Sequence, residues 1–388
     1  LKEAKMRKTF KPVVLFLVLC GIFLAADVKI GKDQEILLDG KPFFPLATWL
    51  QPGKNIDKNK ELGINVFMGH EAAHESPLEY LNACAAKKVY AGISFWELSE
   101  QEIKNIKDHP ALFEWVMPDE PDQYSEKRKG PINTPEELMT KYRWLKTLDP
   151  LHPTDGGFTQ FWVKNSPQVK PALFPEFIKA IDILGFDIYP CNNGEPKTLY
   201  FLARGLKKLS KLDGNSKPHS VFLECNAFNN KTKGQRAPTP AELRAEVWMC
   251  IVHGAHALGY FTHSWIPSYN QFSVPEDIKN EIKNINRQIT ELAPVILSPD
   301  SKIEVKTSSR NDSGLDIAVL IKETKGKIYI FTSNIRNNRG EAELNIAGQS
   351  DGEVEVYEEG NRKITMKDGK FVDTFKEFEP HIYIINKK

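Results

Sequence analysis

The chain has 388 residues, with 52 Lys+Arg against 51 Asp+Glu, a formal net charge of +1, 41% hydrophobic residues and 27% charged ones. These proportions are ordinary for folded globular proteins and exclude wholesale disorder. A balanced charge without a clustered basic stripe excludes bulk electrostatic capture of nucleic acid, and the length suits two domains, or one large barrel with a small module.

In chain order, Met6 is followed by Arg7, Lys8 and Lys11, an apolar run over 13–24, and Ala25-Ala26-Asp27. A basic start, a short apolar stretch and small residues before a polar one have the layout of a cleavable secretory signal. The run falls short of the roughly 20 residues that span a bilayer. Residues 1–26 therefore read as a signal with its upstream residues. The mature chain is expected to begin near Asp27, secreted or in the periplasm or cell envelope, with no stable membrane span. Cys84, Cys191, Cys225 and Cys250 are too few for a disulfide scaffold, and no CxxC pair suggests a structural zinc site. Buried free thiols are expected, with a Cys191–Cys225 bridge as the alternative.

Over 27–294 short apolar runs alternate with longer amphipathic ones. Strands are predicted at 43–48, 65–68, 90–95, 112–117, 153–157, 183–188, 220–224 and 257–261. Helices are predicted near 57–62, 76–87, 100–107, 134–148, 174–180, 198–210, 239–253 and 275–292. Thr134-Pro135-Glu136-Glu137 and Thr239-Pro240-Ala241-Glu242 are helix starts, a Thr cap before Pro and acids in the first turn. Eight strand–helix units in about 250 residues match an α/β fold of the (β/α)₈ TIM barrel type. No glycine-rich phosphate turn follows the first strand, which argues against a doubly wound sheet. Over 295–388 the texture changes to short alternating runs separated by Gly and Asn turns, including Asp351-Gly352, Gly360-Asn361 and Asp368-Gly369. These predict a C-terminal antiparallel β-sandwich.

A barrel of this kind works from the C-terminal ends of its strands. The fourth strand ends in HPALFEWVMPDEPD (109–122), which delivers Asp119 and Glu120, and the seventh in SVFLECNAF (220–228), which delivers Glu224. The sixth, DILGFDIYP (182–190), puts Asp187 and Tyr189 at the rim. The eighth supplies His263 and Trp265, the third Trp96 with Glu97, and the second His70 with Glu71. Two carboxyl groups flanking a sugar, one protonated for the leaving oxygen and one ionised for the anomeric carbon, are what glycoside hydrolysis requires. Rims four and seven can hold them about 5–5.5 Å apart, the retaining separation.

These motifs resemble clan A glycoside hydrolases. HPALFEWVMPDEPD is similar to a segment of bacterial barrel proteins regarded as glycosidases, and AEVWMCIVHGAHALGYFTHSW (245–265) resembles their seventh helix and eighth strand. The resemblance implies a (β/α)₈ barrel with a trailing β-sandwich, Glu120 as acid/base and Glu224 as nucleophile. It further implies Tyr189 hydrogen-bonded to that nucleophile and Trp265 stacked under the sugar. The clan usually carries Asn before the acid/base, where its amide donates to the sugar 2-hydroxyl. This chain has Asp119, which as a carboxylate only accepts, and whose charge favours a protonated neighbour.

Other features carry less. His70 and His74 with Glu71 and Glu75 lack a third ligand in reach, no GxSxG elbow occurs, and Cys225 has no evident His base. No metal or organic cofactor is implied. The sequence thus predicts a secreted retaining glycosidase using Glu120 and Glu224 on an oligo- or polysaccharide. Asp119, Tyr189, Trp265, His263, Trp96 and His70 are its candidate substrate contacts. Its rival is a catalytically inactive carbohydrate-binding or cell-envelope protein on the same barrel.

Overall fold

The computed structural model describes residues 25–168, 170–228, 231–311 and 313–387; the apolar run at 13–24, and with it nearly all of the expected signal, lies outside them. A small antiparallel sheet opens the described chain: β1 (Val28–Ile30), β2 (Ile36–Leu38) and β3 (Lys41–Pro42). Its Val28, Ile36 and Leu38 pack with Ala47, Val66, Phe113 and Ile183 from inside the barrel. The sheet therefore plugs the end opposite the functional rim.

The barrel strands follow, beginning with β4 (Leu46–Thr48), β5 (Val66–Met68), β6 (Tyr90–Ser94) and β7 (Leu112–Val116). A hairpin of β8 (Tyr124–Ser125) and β9 (Gly130–Pro131) intervenes. The barrel resumes with β10 (Thr154–Phe158), β11 (Ile183–Asp187), β12 (His219–Glu224) and β13 (Ala255–Phe261). The eight barrel strands pair in parallel and close, with β13 bonded to β4. Their apolar content is nearly continuous because core covers both faces, as parallel sheets require.

The helices are α1 (Ile56–Lys60), α2 (Pro77–Ala86), α3 (Glu100–Ile106), α4 (Pro135–Leu148), α5 (Gln160–Lys164), α6 (Phe174–Phe177), α7 (Tyr200–Asp213), α8 (Pro240–Val252) and α9 (Glu276–Ile296). Four of them start with complete capping boxes: Ser76 with Glu79, Ser99 with Glu102, Thr134 with Glu137 and Thr239 with Glu242. Each cap satisfies N–H groups that would otherwise be orphaned, worth about 1 kcal/mol.

After α9 come β14 (Val305–Ser309), β15 (Ile317–Thr324), β16 (Lys327–Asn334), β17 (Gly340–Ile346), β18 (Gly352–Val356), β19 (Lys363–Met366), β20 (Lys370–Phe375) and β21 (Pro380–Asn386). They form a β-sandwich of two antiparallel sheets, β14-β17-β20 and β15-β16-β21-β18-β19. Ile328, Ile330, Leu344, Val354, Phe371 and Tyr383 fill the space between the sheets. The opposite face of the larger sheet meets the barrel: Trp248 of α8 stacks on Phe331 of β16 at 6.1 Å and 19°, and Phe378 and Ile382 join the barrel's outer core. Arg287 of α9 forks onto Glu358 at 2.7 and 2.6 Å.

The Trp248–Phe331 stack couples the two units. Trp248→Ala should cost about 3–5 kcal/mol, the range for deleting a buried aromatic side chain, and should split one urea transition into separate barrel and sandwich steps. A single transition at the wild-type midpoint would contradict this.

Candidate active site

The loop after β7 holds the first acidic group. Glu120 has φ 44°, in the left-handed region, although Pro121 follows it and residues before proline favour extended backbone. Such conformations cost about 1–3 kcal/mol and collect at functional sites. The turn is held from both sides: the Gln123 N–H donates to the Glu120 carbonyl at 2.8 Å, and Gln123 Nε2 donates to Glu120 Oε2 at 2.9 Å. Two residues on, buried Asp122 accepts from the Thr159 N–H and Oγ1 at 2.9 and 2.7 Å, fixing this loop to the entrance of α5.

Asp187, the last residue of β11, lines the same cavity as Glu120 and Tyr189, near enough that its carboxyl and that of Glu120 act on each other's protonation. Two neighbouring carboxylates repel, so the pair favours a state in which one of them is protonated. Desolvation pushes the Glu120 carboxyl up to about 7, helped by the Asp119 and Asp122 charges, against the Asp187 hydrogen bond. Desolvation first, and then the charges of Glu120 and Asp119, drive Asp187 well above the usual range. Asp119 stands at the solvent-accessible lip and is shifted in the same direction by desolvation and Asp122. The pair thus keeps a proton at neutral pH.

Asp119, Glu120, Asp187 and Tyr189 line a cavity of about 550 Å³ at the barrel mouth. Its floor is Asp155-Gly156-Gly157 of β10, and aromatic faces from Trp49, Phe222, Phe228, Phe261 and Trp265 wall it. Gly259 lets Phe222 lean inward, since a Cβ there would lie 2.3 Å from the Phe222 ring. Beneath the floor, burial and then the Asp155 charge raise Glu114 well above the usual carboxylate range, and burial pushes Asp155 up to about 7. No Lys, Arg or His occurs among the described residues that line the cavity.

Glu224 is not among the lining residues. It has no solvent exposure, and its carboxyl accepts from the Cys191 N–H at 2.6 Å, the Asn192 N–H at 2.8 Å and Asn192 Nδ2 at 2.8 Å. On its far side lies Glu246 of α8, fully buried. As two carboxylates the pair would leave both Glu246 oxygens unpartnered; one proton makes the contact a hydrogen bond. Cys191 Sγ and the two carboxyls lie within 4.8 Å of one another, and a proton is the simplest charge compensation there. The expectation that Glu224 faces Glu120 across the mouth is therefore corrected: backbone donors from the loop after β11 capture Glu224 first.

Three expected substrate contacts are corrected too. His263 is 1% exposed and lies behind the wall, with Nε2 on the Trp49 carbonyl at 3.0 Å and Nδ1 on the Tyr269 hydroxyl at 3.1 Å. Trp96 packs on the outer shell under Lys141, whose Nζ lies 5.6 Å from its ring. His70 is buried beside Glu71, Nδ1 to Oε2 at 2.9 Å, and near the Tyr80 ring. Cys84, Cys191, Cys225 and Cys250 are buried free thiols. Asp187 stands out in the sequence only as a rim residue; its neighbour Tyr189, one pleat on, is the signal that marks it.

No protein-family model and no curated protein matches the chain. Among solved structures it is similar to a GH42 β-galactosidase from G. stearothermophilus, with TM-score 0.57 and 8% identity over 89% of this chain and 98% of that one. It is also similar to AmyP in complex with maltose, with TM-score 0.54 and 11% identity over 86% and 89%. At such identities the likeness is one of fold: the (β/α)₈ barrel with its trailing β-sheet module.

Glu246 and Glu224 are both shifted upward by burial, so the folded state binds protons that the unfolded chain releases in the ordinary carboxylate range. Stability should therefore fall as pH rises out of that range. Urea midpoints should be lower at pH 8 than at pH 5.5. Glu246→Gln, which cannot titrate yet can donate to Glu224, should narrow the difference, and an unchanged difference would contradict the shared proton.

Proposed function

We propose that the chain hydrolyses glycosidic bonds of a neutral carbohydrate at the barrel mouth, with Glu120 as proton donor and Asp187 as the second carboxylate. The observation that carries this reading is the placement of two carboxyls, Glu120 and Asp187, on the wall of one aromatic-lined cavity. Sugars offer an apolar C–H face to such rings and hydroxyls to the carboxyls and to Gln123 and Gln160. Four carboxyl groups without a lining cation disfavour uronic acids and phosphorylated sugars.

A retaining pair holds its carboxyls about 5–5.5 Å apart, and a substrate entering the cavity would lie between Glu120 and Asp187. The proton of the pair goes from Glu120 to the glycosidic oxygen as its bond to the anomeric carbon breaks. Asp187, beside Tyr189 on the cavity wall, is freed as the carboxylate that attacks that carbon. Water, giving its proton to Glu120, then releases the sugar with retention. Asp119 keeps the Glu120 proton bound through its charge. Glu224 serves as an anchor for the wall. On the strength of the run at 13–24, the protein acts outside the cytoplasm, and material recovered from its host should begin near Asp27; N-terminal sequencing that finds the intact run would refute this.

Activity screening against aryl β-glycosides and neutral polysaccharides tests the reaction. Glu120→Gln and Asp187→Asn should each lower kcat on unactivated substrates by about 10²–10⁴-fold. Glu224→Gln should lower thermal stability and keep measurable turnover. Because Glu120 must be protonated, kcat/KM should decline above pH about 7. Full loss in a stably folded Glu224→Gln with no effect of Asp187→Asn would restore the Glu120–Glu224 pairing. A wild-type protein that binds polysaccharide and turns over nothing would support the binding-protein alternative.

A further inference from the structure

Large apolar side chains rarely remain exposed together without use, yet Trp265 is 50% exposed, Tyr269 53% and Ile266 37%, all on the loop after β13. Nothing in this loop is loose. Ser264 and Asn270 close its base through paired backbone bonds of 2.9 and 2.8 Å. The Trp265 N–H donates to the Phe228 carbonyl at 2.6 Å. Tyr269 is held through its hydroxyl, which shares a hydrogen bond of 3.1 Å with His263 Nδ1, and His263 Nε2 is in turn bonded to the Trp49 carbonyl at 3.0 Å. Burial favours a neutral imidazole there.

The rings form a run. Inside the cavity Phe261 stacks with Trp265 at 6.2 Å and 20°, and Trp265 continues to Tyr269 at 5.5 Å and 38°. Trp265 lines the cavity, and Tyr269 lies beyond it. We propose that Tyr269, continuing the ring surface of Trp265, forms a second sugar-binding platform just outside the cavity, which makes an oligosaccharide or polysaccharide chain the substrate class rather than a single glycoside. This rests on the glycosidase reading above. The occupant follows from continuity: a chain whose reacting unit sits at Glu120 leaves past Trp265 and meets Tyr269 next. Rings already fixed by hydrogen bonds lose little freedom on stacking, which favours binding. A second copy of the protein fits less well, because stable interfaces engage about 20–30 residues a side and this patch has three large apolar ones.

Wild type, Tyr269→Ala and Tyr269→Phe would be compared on para-nitrophenyl glycosides of glucose, galactose, xylose and N-acetylglucosamine and on the corresponding β-linked tetrasaccharides. Tryptophan fluorescence would report binding of the same tetrasaccharides. The wild type should prefer the tetrasaccharide of its sugar. Tyr269→Ala should lower that preference about tenfold, with the loss in KM; Tyr269→Phe, which keeps the ring and loses the His263 bond, should lose less. Equal effects on single sugar and tetrasaccharide, or none on either, overturn the platform. Absence of all turnover with tetrasaccharide binding that still needs Tyr269 defeats the hydrolase reading and leaves the platform standing. A dimer in sedimentation that Tyr269→Ala dissolves, with no dependence on sugar length, assigns the patch to self-association and overturns it.

Discussion

The carboxyl of Glu224, caught by three N–H donors from Cys191 and Asn192, is the constraint on which the rest of the mouth depends. A fully buried carboxyl is costly unless its oxygens are satisfied, and here the donors come from the loop after the neighbouring strand. That requirement fixes where β11 hands over to its loop, and so where Asp187 and Tyr189 stand. Asn192 extends the tie, donating to the Asn226 carbonyl at 2.7 Å and accepting from the Phe228 N–H at 2.8 Å. Phe228 then meets the Tyr189 ring edge-on at 4.8 Å. One ionisable side chain thereby sets the wall of the cavity without entering it.

Two carboxyl pairs divide the work between them. The inner pair, Glu224 with Glu246, joins β12 to α8, and α8 carries the Trp248 contact with the sandwich. The outer pair, Glu120 with Asp187, faces the cavity. Burial raises the proton affinity of the carboxyls in both pairs. What differs is access: the inner pair is sealed, and the outer one opens onto a space that a sugar can fill. The left-handed Glu120 backbone, held by Gln123, belongs with the second role.

The barrel and the sandwich were legible because their signals are local. Period-two runs, Gly turns and Thr-Pro-x-Glu caps report backbone states directly, and each predicted barrel strand overlaps an observed one. The strands β1–β3 were missed because their apolar residues serve the barrel floor, a long-range fact, and β8 and β9, two residues each, are too short to show a period. At the site, Asp119, Glu120, Tyr189 and Trp265 were legible from position at strand ends. Glu224 was not, because being on the right strand end says nothing about which donors reach it first. His263 and Trp96 show the same limit in packing terms: rim placement in sequence does not decide whether a ring faces the cavity or the shell behind it.

The central claim is that Glu120 works with Asp187 while Glu224 holds the wall. A crystal structure of Glu120→Gln with a β-linked oligosaccharide that the wild type cleaves tests it most directly. The account predicts the glycosidic oxygen beside Gln at position 120, the Asp187 carboxylate facing the anomeric carbon, and Glu224 still bound by the Cys191 and Asn192 N–H groups. Glu224 turned into the cavity beneath the anomeric carbon, with Asp187 away from the sugar, would contradict it.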